Sequence, residues 1–71
     1  MPSAPDWLDL KTLPGWVQWI AQDANGQWWG YEVEPHEYHA GWYENEVGDR
    51  LQLEPAPPNP DWRQSLYQIR R

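Results

Sequence analysis

The stretch WVQWIAQDANGQWWGYEVE, residues 16–34, decides the fold of this chain. Trp, Val, Ile and Tyr, which favour strands, dominate both of its ends. Between them lies Asp23-Ala24-Asn25-Gly26, in which Asn-Gly accepts the positive φ angles that tight hairpin turns require. The stretch therefore predicts a β-hairpin with strands over residues 16–22 and 27–34. Pro35 ends the second strand because it has no N–H to donate to a ladder.

The length of the connecting loop decides which side chains of this hairpin share a face. With two or four connecting residues, one face forms the core and consists of Trp16, Gln18, Ile20, Trp29, Tyr31 and Val33. The opposite face then carries Val17, Trp19, Ala21, Trp28, Gly30 and Glu32. A three-residue loop with a bulge reverses this pairing. In either register the hairpin has indoles on both faces, so other parts of the chain must cover it.

Weaker signals predict the rest of the fold. Residues 42–47 and 50–54 suggest a second hairpin through Gly48-Asp49, and the proline-rich residues 55–58 suggest an extended connector. Asn59 resembles an N-cap before Pro60, and the pattern predicts a C-terminal helix over residues 60–70 with Trp62, Leu66 and Ile69 on one stripe.

These elements predict a single small domain over residues 1–71 with residues 1–6 as a loose arm. The predicted fold class is α+β: a small antiparallel sheet of two β-hairpins, with about four strands, and a C-terminal α-helix packed on it.

The aromatic composition suggests both a small core and a contact surface. The chain has seven tryptophans, four tyrosines and no phenylalanine, so every aromatic ring except those of histidine is apolar with a polar tip. Such rings pack interiors and also dominate protein interfaces. Cysteine is absent, which excludes disulfides and thiolate zinc sites. We expect some of these rings to be core and the others to bind a partner.

The charge excludes one class of partner. The formal net charge is -6, and between Asp23 and Glu54 the only basic residue is Arg50. Duplex nucleic acid is bound by Lys and Arg that neutralise phosphates, so we expect no duplex nucleic acid partner. The sequence contains no signal-like segment and no apolar run near 18 residues, so we expect no membrane association and a cytoplasmic location.

No motif in the sequence indicates catalysis. His36 and His39 flank Glu37, but zinc proteases place two histidines four residues apart on a helix, and Pro35 argues against a helix here. We interpret Glu32 and Glu34 as solvated surface carboxylates and not as a catalytic pair. We therefore expect no enzyme activity, no catalytic residue, no metal and no cofactor, and we interpret the two histidines as solvated loop residues.

The remaining hypothesis is a binding surface with rings at its centre and acids at its rim. The expected partner-binding residues are Trp19, Trp28, Trp42, Tyr43, Glu32, Glu34, Glu37, Glu44 and Glu46. This arrangement would occlude a basic surface on another protein, and we also expect a homodimer. The alternative is a nucleotide or signalling metabolite stacked between Trp19 and Trp28 with Arg50 as the cation.

Residues 16–35 resemble a segment of small proteins encoded by tailed bacteriophages and prophages. The resemblance rests on the pattern W-x-x-W-I-A-x-D-x-x-G-x-W-W-x-Y-E-x-x-P, with Trp42 and the tail from Trp62 to Tyr67 as looser echoes. It implies a phage accessory protein acting in a bacterial cytoplasm, as an anti-defence or anti-CRISPR-like inhibitor of a host protein. A metabolite sponge and a structural virion component are the alternatives.

Overall fold

The computed structural model describes residues 5–44 and 48–70, which form two antiparallel sheets. The strands are β1 (Trp19–Gln22), β2 (Trp28–Tyr31), β3 (His36–Tyr38), β4 (Gly41–Tyr43), β5 (Arg50–Gln52) and β6 (Tyr67–Gln68). A 3₁₀ turn, Trp62–Gln64, precedes β6. The larger sheet has the order β5-β2-β1-β6, and β3 pairs with β4 in a separate two-stranded sheet.

The predicted hairpin over residues 16–34 is confirmed as β1 and β2, and its loop has three residues. The Asp23 amide donates to the Gln27 carbonyl at 2.9 Å, and the Gly26 amide donates to the Asp23 carbonyl at 2.9 Å. Gly26 has a φ of 97°, which completes the loop. The resulting register pairs Ile20 with Gly30 and Ala21 with Trp29. The faces are therefore those of the three-residue alternative, the reverse of the pairing expected for two or four connecting residues.

A β-bulge lies where β1 begins. Trp19 is the register partner of Tyr31, yet the Gln18 amide also donates to the Tyr31 carbonyl, at 2.9 Å. Two residues opposite one reverse the alternation of side chains along the strand. Val17 thereby returns to the face of Ile20, and a Cβ on Gly30 would lie only 2.9 Å from the Val17 Cγ1. The bulge places both Val17 and Ile20 in the core.

One face of the larger sheet packs against the N-terminal segment. Val17, Ile20 and Ile69 are buried at its centre. The partly buried side chains around them are Trp7, Leu8, Leu13, Trp16, Trp28, Leu51, Leu53 and Tyr67. Residues 7–13 thus help to cover this face, which the predicted helix was expected to do.

The opposite face carries Trp19, Ala21, Trp29 and Tyr31, and the β3–β4 hairpin packs across it. The Trp42 indole N–H donates to the Gln22 carbonyl at 2.9 Å. The Trp42 ring also meets Trp62 edge-on, with centroids 6.0 Å apart and planes at 88°. These contacts fasten the small sheet to β1.

The predicted α+β class is wrong, because residues 60–70 do not form a C-terminal helix. In the described residues the helical structure is a single 3₁₀ turn. The Asn59 carboxamide accepts the Asp61 amide at 2.9 Å and so starts that turn. Ser65 then ends it: the buried hydroxyl accepts the Gln22 amide at 2.8 Å and lies 2.6 Å from the Trp62 carbonyl.

The tail forms β6 because β1 needs a partner on its second edge. The Ile69 amide donates to the Gln18 carbonyl at 2.8 Å, and Tyr67 pairs with Ile20. Buried backbone groups of a strand must be paired, and a helix laid on the face would not have paired them. The predicted stripe of Trp62, Leu66 and Ile69 is consequently split, since Ile69 packs beside Val17 whereas Trp62 packs against Trp42.

The second hairpin differs from the one predicted through Gly48-Asp49. β4 pairs with β3 and β5 pairs with β2, with Gly30 opposite Leu51. Residues 45–47 lie outside the described part of the chain. His36 and His39, expected in a loop, lie in β3 and in the turn that follows it, where His39 has a φ of 50°.

The proline-rich connector crosses the tip of the first hairpin. It links β5 at one edge of the larger sheet to β6 at the other. The Asn59 amide donates to the Ala24 carbonyl at 3.3 Å, and a Cβ on Gly26 would collide with the carbonyls of Ala56 and Pro57. Across the described ranges, no helix has the length and apolar character needed to cross a bilayer.

Candidate functional site

Four rings form an exposed patch on the outer side of the β3–β4 hairpin. His36 pairs with Tyr43, and Tyr38 pairs with Gly41. The side chains of His36, Tyr38 and Tyr43 therefore share a face, while those of Glu37 and Trp42 point the other way. We call His36, Tyr38, His39 and Tyr43 the ring patch. Tyr38 is 58% exposed and Tyr43 is 39% exposed. The ring patch is the place where the described chain leaves large aromatic surface uncovered.

The rings of this patch hold one another in place. Tyr38 and Tyr43 meet edge-to-face with centroids 5.2 Å apart. His39 lies edge-on to Tyr38 at 4.0 Å, and His36 is tilted against Tyr43 at 6.0 Å. Edge-to-face contacts of this kind each contribute about 0.5–1.5 kcal/mol beyond area burial. Ordered rings lose less conformational entropy when a partner binds.

Asp23 anchors the hairpin that carries the ring patch. Its carboxylate accepts the Trp42 amide at 3.3 Å, and a Cβ on Gly41 would lie 2.9 Å from its Oδ1. Burial raises the pKa of the Asp23 carboxyl, and hydrogen bonds from the Trp42 amide and the Trp29 side chain, together with the charge of Arg50, partly oppose that shift. Ionisation of this carboxyl is therefore unfavourable, but its hydrogen bond joins the two sheets at a defined position.

An ion pair lies on the inner side of the same hairpin. The Arg63 Nε is 2.9 Å from a Glu37 carboxylate oxygen, and both side chains are about half exposed. Exposed pairs of this kind contribute between about 0 and 1 kcal/mol. The pair orients Glu37 but does not account for the stability of the hairpin.

A cavity of about 400 Å³ opens beside the ring patch. It is lined by Tyr31, Tyr43, Glu44, Gly48, Asp49 and Arg50. Tyr31 is only 2% exposed, and burial, followed by the negative charge of Asp23, raises the pKa of its phenol. The Arg50 guanidinium lies 5.2 Å from the centre of the Trp29 ring. A second hollow, of about 350 Å³, lies between the N-terminal segment and β5.

The structure separates the two tryptophans that were expected to act together. Trp19 pairs with Tyr31 whereas Trp28 pairs with Gln22, so the two indoles lie on opposite faces. Trp28 meets Trp7 edge-on at 5.6 Å inside the core cluster. Trp19 is half-buried on the face that the β3–β4 hairpin covers. The two rings therefore do not form one stacking site.

The other expected site residues are distributed around the small sheet. Trp42 is half-buried and faces inward, whereas Tyr43 belongs to the ring patch. Glu34 and Glu37 are exposed, and the Glu32 carboxylate accepts the Asp49 amide at 3.1 Å. Glu44 and Arg50 both line the cavity. Glu46 lies outside the described residues.

Sequence reasoning missed three members of the ring patch, His36, Tyr38 and His39. The signal was present: the alternating pattern His-Glu-Tyr is followed, after two residues, by Gly-Trp-Tyr, which is the spacing of a hairpin. His36 and His39 were instead interpreted as solvated loop residues. Tyr31 was likewise assigned to the core alone, although it also lines the cavity.

Neither the arrangement of possible metal ligands nor the comparison with known proteins assigns a function to this site. Among the described residues, no group of three or more His, Asp or Glu side chains is placed to hold a metal ion. No protein-family model, curated protein or solved structure matches this chain. The interpretation of the site therefore depends on its own geometry and charge.

Proposed function

We propose that this protein is a non-enzymatic, acidic binding module that uses the ring patch to occlude a basic surface of another protein. The observation that carries this proposal is the exposed Tyr38–Tyr43 pair, held edge-to-face on a short hairpin. Tyrosine is enriched at protein interfaces, where a few large rings supply most of the binding energy.

The charge around the ring patch supports a basic partner. Glu34 is exposed just before β3, and Glu44 follows β4 directly. The net charge of -6 adds a long-range attraction for a positively charged surface. Acids around a ring centre accelerate encounter and reject acidic competitors.

The resemblance of residues 16–35 to phage-encoded proteins suggests where that partner is found. We propose a phage accessory protein that acts in the bacterial cytoplasm and inhibits a host protein, in the manner of anti-defence or anti-CRISPR proteins. The expected homodimer remains a prediction, and sedimentation velocity at two protein concentrations tests it.

A nucleotide sponge receives less support from the geometry. Arg50 beside the Trp29 ring is an arrangement that stacks planar ligands. However, Glu44 and Asp49 line the same cavity and would repel phosphate. Titration with a panel of nucleotides, followed by tryptophan fluorescence, should leave the emission unchanged, and saturable quenching would favour the sponge over the binding module.

The test of the proposed function compares two tyrosine variants with an apolar control. Tyr38→Ala and Tyr43→Ala should each weaken capture of a bacterial partner by at least about tenfold, because each removes a ring from the centre of the surface. Leu10→Ala is the control, since Leu10 is 38% exposed but belongs to the N-terminal segment. The measurement is affinity for the partner identified by tagged pull-down and mass spectrometry, with thermal unfolding of each variant alongside. Retention of the partner by both tyrosine variants would refute the proposal.

A further inference from the structure

Strand β5 lies at one end of the larger sheet, and its outer side is an edge. The sheet order is β5-β2-β1-β6, so among the described residues β5 has β2 as its one neighbouring strand. The Glu32 amide donates to the Asp49 carbonyl, and the Leu53 amide donates to the Trp28 carbonyl. Backbone groups alternate in direction along a strand, so those of Gln52 point away from β2. Gln52 therefore presents a donor and an acceptor on the outer edge.

The charged residues around Gln52 form a pattern that is complementary to itself. Arg50 lies two residues before Gln52 and Glu54 lies two residues after it, and all three side chains are exposed. A second copy that runs antiparallel, with Gln52 on a two-fold axis, would set Arg50 opposite the second copy's Glu54. The axis repeats this contact, so Glu54 would lie opposite the second copy's Arg50. Opposite charges on facing strands stabilise the pairing of those strands.

The leucines of the same edge match in the same register. Leu51 and Leu53 are partly buried against the core cluster, and both line the hollow of about 350 Å³ beside the N-terminal segment. With Gln52 on the axis, Leu51 would meet the second copy's Leu53. Apolar side chains that one chain covers in part would thus be covered further by the second.

The charge pattern favours a second copy over other strands, and β5 over the opposite edge. A charged residue on an edge strand ordinarily discourages pairing with strands of other proteins. An antiparallel copy of β5 instead offers the opposite charge to both Arg50 and Glu54. The opposite edge, β6, lies within residues 65–70, which contain Arg70 and no carboxylate. Two copies joined at β6 would therefore lack a matching acid.

We propose that two copies of this protein associate through β5, antiparallel and with Gln52 on the two-fold axis. The inference rests on the homodimer expected under the proposed function and deepens it by naming the interface. The two four-stranded sheets would then become continuous. The contact joins strands of three residues, so the interface is small and the dimer should dissociate on dilution.

Paired charge reversals test this interface. Arg50→Glu and Glu54→Arg each set like charges opposite one another, so each should weaken dimerisation at least about tenfold. An equimolar mixture of the two variants sets opposite charges against each other again, and dimerisation should return as a heterodimer. Sedimentation velocity over a wide range of protein concentration measures each variant and the mixture, and thermal unfolding shows whether each variant folds.

Proline variants test the backbone pairing. Gln52→Pro removes the outward N–H, and the hydrogen bonds between β5 and β2 do not use this group. Gln68→Pro is the matched control: the Ile69 amide faces β1, so that of Gln68 faces outward on β6. The first variant should abolish dimerisation and the second should leave it unchanged. Equal loss in the two proline variants, a mixture of charge variants that stays monomeric, or oligomers larger than a dimer would overturn the proposal.

The proposed interface and the proposed function fail in distinguishable ways. A dimer that persists through both charge reversals would keep the expected homodimer and remove β5 as its interface. A wild-type protein that stays monomeric at every concentration would remove the homodimer and the interface together. In either case, partner capture that depends on Tyr38 and Tyr43 would still support the binding module.

Discussion

At the scale of single residues, Asp23 connects the parts of the fold that sequence reasoning treated separately. Its backbone closes the loop of the first hairpin, and its carboxylate accepts the Trp42 amide of the second. Burial makes its ionised form unfavourable, which is why its pKa rises from the ordinary value of 3.8. One side chain thereby links hairpin geometry to the position of the ring patch.

The raised pKa of Asp23 predicts the sign of a pH effect. The folded protein binds the proton of this carboxyl more tightly than the unfolded chain, so its contribution to stability is present below pH 3.8 and is lost as the pH rises through the folded pKa. Asp23→Asn removes this titration. Urea unfolding measures the free energy of unfolding of both proteins between pH 3 and pH 7. The stability of the variant relative to the wild type should increase as the pH rises. A difference that does not change with pH would show that burial does not raise this pKa.

At the scale of elements, the three-residue loop and the bulge determine the two faces of the first hairpin. The loop sets Ile20 opposite Gly30, and the bulge brings Val17 back to the same face. Each inserts a residue that shifts the alternation of side chains. Gly26 is central because its positive φ and the nearby connector both exclude a side chain.

Gly26→Ala should destabilise the protein by at least about 2 kcal/mol. The cost combines a left-handed backbone conformation with a collision against the carbonyls of Ala56 and Pro57. Gly15→Ala is the matched control, because no atom lies within 4 Å of its added Cβ. Chemical denaturation measures both variants. Equal effects at the two positions would contradict the described crossing of the connector over the turn.

At the scale of the whole molecule, both faces of one thin sheet are covered by different segments. Residues 7–13 cover the face of Val17 and Ile20, and the β3–β4 hairpin covers the face of Ala21 and Tyr31. A domain of this size has a net stability of about 3–5 kcal/mol. The packing of both segments on the sheet is therefore needed for folding. The rings divide accordingly: Trp28 and Trp62 pack inside, and the ring patch stays outside.

Trp28→Ala should therefore act on folding and Tyr38→Ala on binding alone. Trp28 packs in the core cluster against Trp7, and removing a large, partly buried ring costs about 2–3 kcal/mol, most of the stability available. Tyr38 is 58% exposed, so its truncation should change the free energy of unfolding by less than about 0.5 kcal/mol. Thermal and urea unfolding compare the two, and a Trp28→Ala variant as stable as Tyr38→Ala would place Trp28 outside the core.

The sequence alone determined the first hairpin and part of the candidate site. Asn25-Gly26 between two aromatic strands specifies a turn locally, because φ preference and strand propensity act over a few residues. The same reasoning found Tyr43, Glu44 and Arg50, which the structure brings to one cavity. It also recognised that a hairpin with indoles on both faces needs cover.

Only the tertiary structure decided which segments pack against the first hairpin and pair with its edges. Residues 60–70 satisfy the local rules for a helix, but the second edge of β1 needs hydrogen bonds. The Ser65 hydroxyl after the 3₁₀ turn and the Ile69 amide beside β6 provide them. Distant backbone groups likewise determined that β5 pairs with β2, whereas β3 and β4 form a local hairpin whose pattern is present in the sequence. Long-range pairing overrides local propensity here because buried backbone groups left without partners cost more than a short helix gains.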